Sequence, residues 1–139
     1  IGLLRALEGT TNTYDLAAGF DALGQRPFYP PNVKGWDGGR TWINSSTLLA
    51  RANFVRRLLD HDKTRFAGGT LSAVFDQQRV TTGDAIVQRL ELLLLARPLP
   101  GEVQAHLARQ INAAPASGRE SRLKDTIHFL ATQPEFQLV

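Results

Sequence analysis

The chain has 139 residues, of which 42% are hydrophobic and 21% are charged, the length and composition of one ordinary globular domain. No apolar run approaches the roughly 20 residues that a membrane-spanning helix needs, and the absence of cysteine excludes disulfides, thiolate zinc sites and cysteine nucleophiles. The formal net charge is +3, and its excess lies in the first 69 residues, which hold nine basic and six acidic side chains.

The start of the chain is unusual. There is no methionine, and the opening residues Ile1-Gly2-Leu3-Leu4 are typical of the middle of a helix. We therefore expect a single helical domain, residues 1–139, taken from the C-terminal part of a longer chain.

Helical patterns begin near Asn12, a predicted N-cap. Leu16, Phe20 and Leu23 follow on one helical face, and Gly24 is typical of a helix end. Residues 25–40 then break every period with three prolines and three glycines, which predicts a long loop.

A second helix is predicted from Thr41 or Trp42 to about Leu59. Its apolar stripe comprises Leu48, Ala52, Val55 and Leu59, widened by Leu49 and Leu58. One short helical turn is expected over residues 70–75.

Three further helices are predicted in the second half. The first is capped by Thr81 or Thr82, runs to about Ala96, and is apolar on nearly every side, which is typical of a central, buried helix. The second begins near Pro100. The third follows a predicted capping box over residues 117–120, and a last short turn over residues 132–136 ends the chain. The inner faces of the second and third helices are predicted to carry Val103, Leu107, Ile111, Leu123, Ile127 and Leu130.

No strand of useful length is indicated. The prediction is an all-α fold, an irregular bundle of about five or six helices with one long Gly/Pro/Trp-rich loop.

That loop carries the most informative chemistry. Residues 30–44 contain both tryptophans of the chain together with several hydrogen-bonding side chains. In one interpretation it is a ligand pocket, in which indole faces stack on sugar rings and polar groups direct hydrogen bonds. In the other it is an Ω-loop that inserts its own tryptophans into the core. The candidate ligand-binding residues are Asn32, Trp36, Asp37, Arg40, Trp42 and Asn44.

Other catalytic signals are weak. His61, His106 and His128 are scattered, and no metal-ligand spacing, phosphate-binding loop or nucleophile motif occurs. We therefore expect no metal, no cofactor and no complete catalytic set within these residues. The acid–His–acid sequence of residues 60–62 is most simply interpreted as a helix end. A histidine there interacts favourably with the partial negative charge of the helix C-terminus.

The densest basic cluster comprises Arg51, Arg56 and Arg57 on the second predicted helix. A nucleic-acid binder usually shows a denser stripe with groove-reading elements. A solvated helix face is the favoured interpretation, and nucleic-acid binding is kept as an alternative.

Two segments resemble the domain of unknown function 1800 family. Residues 23–51 are similar to its hallmark stretch, LGQ…F.PP.V.GW.GG..WI…LL.R, and residues 129–137 are similar to its usual ending, with Thr132 in place of the more usual serine. The shared motif residues in the first segment are Pro30, Pro31, Gly35, Trp36, Gly38, Gly39, Trp42 and Asn44.

The resemblance implies a largely helical bacterial protein, exported to the periplasm or the exterior, without an established activity. It supplies no catalytic residues, and a cytoplasmic location stays open. We expect the domain to contact the remainder of its own longer chain.

Three functions follow as hypotheses. The first is a non-catalytic binding or scaffolding module with a carbohydrate ligand at the Trp36/Trp42 loop. The second is part of a hydrolase-type enzyme in which Asp37, His61 and Arg40 contribute to a site completed elsewhere. The third is nucleic-acid binding through the arginine cluster.

Overall fold

The computed structural model describes residues 2–23, 28–30, 32–35, 44–67 and 69–137. Every regular element in these ranges is helical, which confirms the all-α prediction; pairing of the strand type is limited there to isolated bridges. The helices are α1 (Gly2–Ala6), α2 (Thr13–Phe20), α3 (Ser45–Asp60), α4 (Leu71–Gln77), α5 (Gly83–Leu94), α6 (Gly101–Ala113), α7 (Ala116–Ala131) and α8 (Pro134–Gln137), with a 3₁₀ turn at Asp21–Leu23. Within the described ranges, none of the helices combines the length and apolarity that a bilayer crossing requires.

The core lies where α5, α6 and α7 pack together, with α3 and α4 against α7. Burial of large apolar side chains is the main force that holds such helices together. Of the predicted inner faces, Leu107, Ile111, Leu123, Ile127 and Leu130 are buried, and Val103 packs against them from a half-buried position.

The N-terminal segment is joined to the chain that follows α3. Thr10 and Arg65 exchange two backbone hydrogen bonds of 2.8 Å, and the amide of Ala67 donates to the carbonyl of Glu8 at 3.1 Å. The hydroxyls of Thr11 and Thr64 also lie 2.8 Å apart. These contacts hold residues 8–11 beside residues 64–67.

Several helix starts agree with the predicted caps. The predicted caps Asn12 and Thr82 accept hydrogen bonds from backbone N–H groups of α2 and α5. Thr70, the first residue of the predicted short turn, caps α4 in the same way. In the described residues α3 starts at Ser45, and its N-cap is Asn44. The predicted starts at Thr41 or Trp42 lie outside the described residues.

Apolar stripes are buried less completely than predicted. Phe20 is half-buried and Leu23 is buried, whereas the side chain of Leu16 lies outside the described ones. On α3 the stripe is buried at Val55, Leu58 and Leu59 but exposed at Leu48 and Leu49. The first turns of α3 therefore remain at the surface.

The prediction of a capping box at residues 117–120 is wrong. Helix α7 begins earlier, at Ala116, after Pro115, and its start shows no side-chain cap. Glu120 instead points to the N-terminus of α4, where its two carboxylate oxygens accept from the amides of Leu71 and Ser72 at 3.0 Å. A carboxylate at a helix N-terminus satisfies donors that have no partner within the helix. A residue distant in sequence thus completes the start of α4.

Helix α5 is central and largely buried, as predicted, except along one face. Ile86, Val87, Leu90 and Leu94 are buried, but Leu92 is 76% exposed. Helix α5 packs against α6, α7 and α1, and its exposed residues Asp84, Gln88 and Leu92 lie one turn apart on a single face.

Candidate functional site

The 25–44 segment contains all six predicted ligand-binding residues, and the structure describes part of it. Trp36, Asp37, Arg40 and Trp42 lie outside the described residues. Asn32 and Asn44 are described, and the side-chain oxygen of each accepts a hydrogen bond from a nearby backbone amide.

Asn32 forms a turn. Its Oδ1 accepts from the amide of Lys34 at 2.9 Å, and its carbonyl accepts from the amide of Gly35 at 3.0 Å. Gly35 has a φ of 95°, a conformation that glycine adopts without the penalty a side chain brings. The side-chain oxygen of Asn32 is thus used to shape the chain.

Asn44 completes the start of α3. Its Oδ1 accepts from the amide of Thr47 at 3.0 Å and from the hydroxyl of Ser46 at 2.6 Å, and its own amide donates to the Thr47 hydroxyl at 2.9 Å. This reciprocal pair is a capping box. A ligand would compete with the helix for the same Asn44 oxygen.

Large apolar side chains of the 25–44 segment face solvent. Phe28 is 93% exposed, Tyr29 is 67% exposed, and Val33 is fully exposed. Phe28 also has a φ of 66°, a left-handed conformation that costs a non-glycine residue about 1–3 kcal/mol. In its described part, the segment presents aromatic side chains outward.

A cleft opens beside the 3₁₀ turn, with a volume of about 430 Å³. Its walls are mostly apolar, from Leu23, Phe54 and Phe136 among others. Its polar edge is the side chain of Arg51, whose Nη1 donates to Oε1 of the buried Gln137 at 2.7 Å. Burial lowers the pKa of Arg51 from its ordinary value. No periodicity or motif in the sequence pairs these two residues, which are 86 positions apart.

The predicted arginine cluster is divided among different environments. Arg51 faces Gln137, whereas Arg56 lies between Asp60 and Asp125, with both contacts at 2.6 Å. The hydrogen bond with Asp125 is the main cause that raises the pKa of Arg56. Arg57 is exposed. Two of the three arginines thus have partners on other side chains of the domain, which leaves no dense stripe among them for a phosphate backbone.

The acid–His–acid sequence does not form a catalytic arrangement in the described residues. Asp60 binds Arg56 and Lys124, at 2.6 and 3.4 Å. His61 accepts from the amide of Lys63 through Nδ1 at 3.1 Å, and the exposed Asp62 lies 3.3 Å from that nitrogen. Asp60 therefore serves the contact between α3 and α7, while His61 shapes the turn after α3. Asp37 and Arg40, the other members of the hydrolase hypothesis, lie outside the described residues.

The other histidines serve helix contacts. Nε2 of His128 lies 3.1 Å from the carbonyl oxygen of Ala52 on α3. Nε2 of His106 lies 2.9 Å from the side-chain nitrogen Nε2 of Gln110 on its own helix. Within the described ranges, no three His, Asp or Glu side chains gather as a metal site would require.

The fold and the site together define a class: an all-α domain with exposed aromatic side chains at Phe28 and Tyr29 and a mostly apolar cleft at the 3₁₀ turn. The model of the family described as "Protein of unknown function (DUF1800)" matches residues 1–138. The chain belongs to this family, as the motifs in residues 23–51 and 129–137 predicted. No curated protein and no solved structure matches the chain.

Proposed function

We propose that this domain is a non-catalytic binding module that contacts its ligand through the 25–44 segment, and that the ligand is a carbohydrate. The observation that carries the proposal is the exposure of Phe28 and Tyr29, at 93% and 67%. Exposed apolar side chains that lie next to one another indicate an interaction site, whereas single ones are common on any protein surface.

Carbohydrate is the ligand class that fits these groups. Aromatic rings stack on the apolar faces of sugar rings, and Tyr adds a hydroxyl that forms hydrogen bonds. The neighbouring sequence supplies two tryptophans and the polar residues Asp37 and Arg40. The turn built by Asn32 and the cap built by Asn44 give the segment fixed local structure at two points, which reduces the entropy that binding would cost.

Binding to glycans tests the proposal directly. The domain is titrated with cello-, chito- and xylo-oligosaccharides while tryptophan emission is recorded, and is also sedimented with the insoluble polymers. The variants Phe28→Ala and Tyr29→Ala should each weaken binding about 2- to 12-fold, since an aromatic contact contributes about 0.5–1.5 kcal/mol.

Tyr14→Ala is the matched control, because the exposure of Tyr14, 84%, lies between those of Phe28 and Tyr29, while Tyr14 lies on α2, outside the segment. It should leave binding unchanged. If no glycan alters the tryptophan emission or retains the protein, or if Tyr14→Ala weakens binding as much as the other two, the proposal is wrong.

The cellular setting is part of this proposal. The family resemblance suggests a bacterial protein that acts outside the cytoplasm and contacts the remainder of a longer chain. Fractionation of cells that express the full-length protein would test this, and recovery in the cytoplasm alone would contradict it.

A further inference from the structure

A buried carboxylate lies at the C-terminal end of α5. Glu91 is 7% exposed, and its Oε1 accepts from the backbone amide of Leu99 at 2.9 Å. In the described part of the chain, Oε2 receives no hydrogen bond. Oε2 is not one of the buried polar atoms without a partner, so this oxygen reaches solvent and has capacity for a donor from outside the domain.

Glu91 forms part of the wall of an open pocket of about 270 Å³, here named the α5 pocket. The other walls are largely apolar. Leu92, at the pocket, is 76% exposed and is thus available to a ligand. The pocket is lined by Gln88, Glu91, Leu92, Leu95, Ala96, Arg97 and Pro98.

The C-terminal end of α5 also lies at the α5 pocket. The last carbonyl groups of a helix carry partial negative charge, which favours a cation there. Helices often supply it from a basic residue in their last turn, but α5 has none, and Glu91 contributes a further negative charge. Arg97 is exposed, so water and salt screen its charge more than that of the buried Glu91.

We propose that the α5 pocket binds the cationic side chain of a partner protein, a lysine or an arginine. The aliphatic stem packs against Leu92 and Leu95, and the ammonium or guanidinium group donates to Oε2 of Glu91. Charge-assisted hydrogen bonds of this kind are stronger than neutral ones. The proposal is independent of the 25–44 segment and of carbohydrate binding.

The experiment is an NMR titration of the ¹⁵N-labelled domain with blocked amino acids. Nα-acetyl-lysine amide and Nα-acetyl-arginine amide carry the proposed side-chain cation. Nα-acetyl-norleucine amide has a similar aliphatic stem without charge. The lysine and arginine probes should shift the amide signals of residues 88–99 and bind at least about tenfold more tightly than the norleucine probe. Equal affinity of the three probes, or no shift from any of them at millimolar concentration, would overturn the proposal.

Two variants test whether the carboxylate of Glu91 binds the lysine probe. Glu91→Gln should reduce the affinity for the lysine probe about tenfold or more, while its amide oxygen can still accept from Leu99. Glu102→Gln, which removes an exposed carboxylate from α6, should leave it within about twofold.

The variant Arg97→Gln removes the positive charge at the pocket and leaves the negative charge of Glu91. The affinity for the lysine probe should stay constant or increase, since a screened repulsion is removed. Loss of binding in Arg97→Gln, or full binding in Glu91→Gln, would overturn the proposal. Comparison of the charged and neutral probes on the unmodified domain decides the question even if Glu91→Gln does not fold.

Discussion

Two phenylalanines show how differently the helical body and the 25–44 segment use apolar side chains. Phe75, on α4, is 1% exposed and lies in the core with α7. Phe28 is 93% exposed and adopts a positive φ. The same side chain stabilises the fold at one position and remains available for contact at the other.

This contrast separates stability from function. The body gains free energy by removing apolar surface from water, and its close contacts leave little tolerance for change. The described part of the 25–44 segment gains little from its aromatic groups. Substitutions in the helical body should therefore lower the free energy of unfolding, and substitutions in the 25–44 segment should not. Four comparisons of variants test this difference and its causes.

The largest effect is expected from the two phenylalanines themselves. Phe75→Ala should lower the free energy of unfolding by about 3–5 kcal/mol, because it removes buried surface and leaves a cavity. Phe28→Ala should change it by no more than about 0.5 kcal/mol. Urea unfolding followed by circular dichroism measures both. A loss of more than about 1.5 kcal/mol in Phe28→Ala would show that the segment belongs to the body.

A smaller effect is expected where α5 approaches α6. A methyl group on Gly83 would meet the backbone oxygen of Ala108, so Gly83→Ala should destabilise the domain by about 1–3 kcal/mol. Gly101→Ala is the control, because nothing lies within 4 Å of its added carbon, and it should be neutral or stabilising by up to about 1 kcal/mol. Equal unfolding midpoints for both variants would contradict the close packing of these helices.

The contact between Glu120 and α4 should have an effect of similar or smaller size. Glu120→Ala leaves the amides of Leu71 and Ser72 without their acceptor, at an expected cost of about 1–3 kcal/mol. Ser117→Ala should cost less than about 0.5 kcal/mol, since the capping box at residues 117–120 does not form. Chemical denaturation of both variants compares the long-range cap with the local one, and a larger loss for Ser117→Ala would reverse the assignment.

The smallest effect is expected from the ion pairs between α3 and α7. Arg56 is about two-fifths exposed, so Arg56→Ala should cost no more than about 1 kcal/mol, and less in high salt. Because its pKa is raised from an already high value, Arg56 stays charged, and this contribution should not change around neutral pH. Arg57→Ala, at an exposed neighbour, should have no measurable effect. Thermal unfolding at 0.05 and 1 M salt tests this; a loss that grows with salt would contradict it.

Local patterns predicted the helices well. The apolar spacing of Leu123, Ile127 and Leu130 predicted the inner face of α7, and Thr82 predicted the start of α5. These signals succeed because helix periodicity and capping depend on residues within one or two turns.

Signals that depend on tertiary contacts could not be read in the same way. Glu120 has the spacing of a capping box with Ser117, yet it binds α4, because the neighbouring helix offers unpaired amides. The exposure of Leu92 depends on which side of α5 its neighbours cover. The pairing of Arg51 with Gln137 and the position of Glu91 at the α5 pocket follow only from the packed structure. For the candidate site, the sequence indicated Asn32 and Asn44 as polar groups of a ligand surface, whereas their contacts show local backbone roles.

The bridge between Thr10 and Arg65 has a consequence for how this domain could be engineered. It joins the chain before α2 to the chain after α3, and Phe20 lies 5.7 Å from Phe54 within the stretch between them. These contacts use no residue of 24–43, so substitutions in that stretch change none of the groups that form them. An engineered version of the domain should therefore keep Thr10, Phe20, Phe54 and Arg65, whose contacts join the segments around α2 and α3.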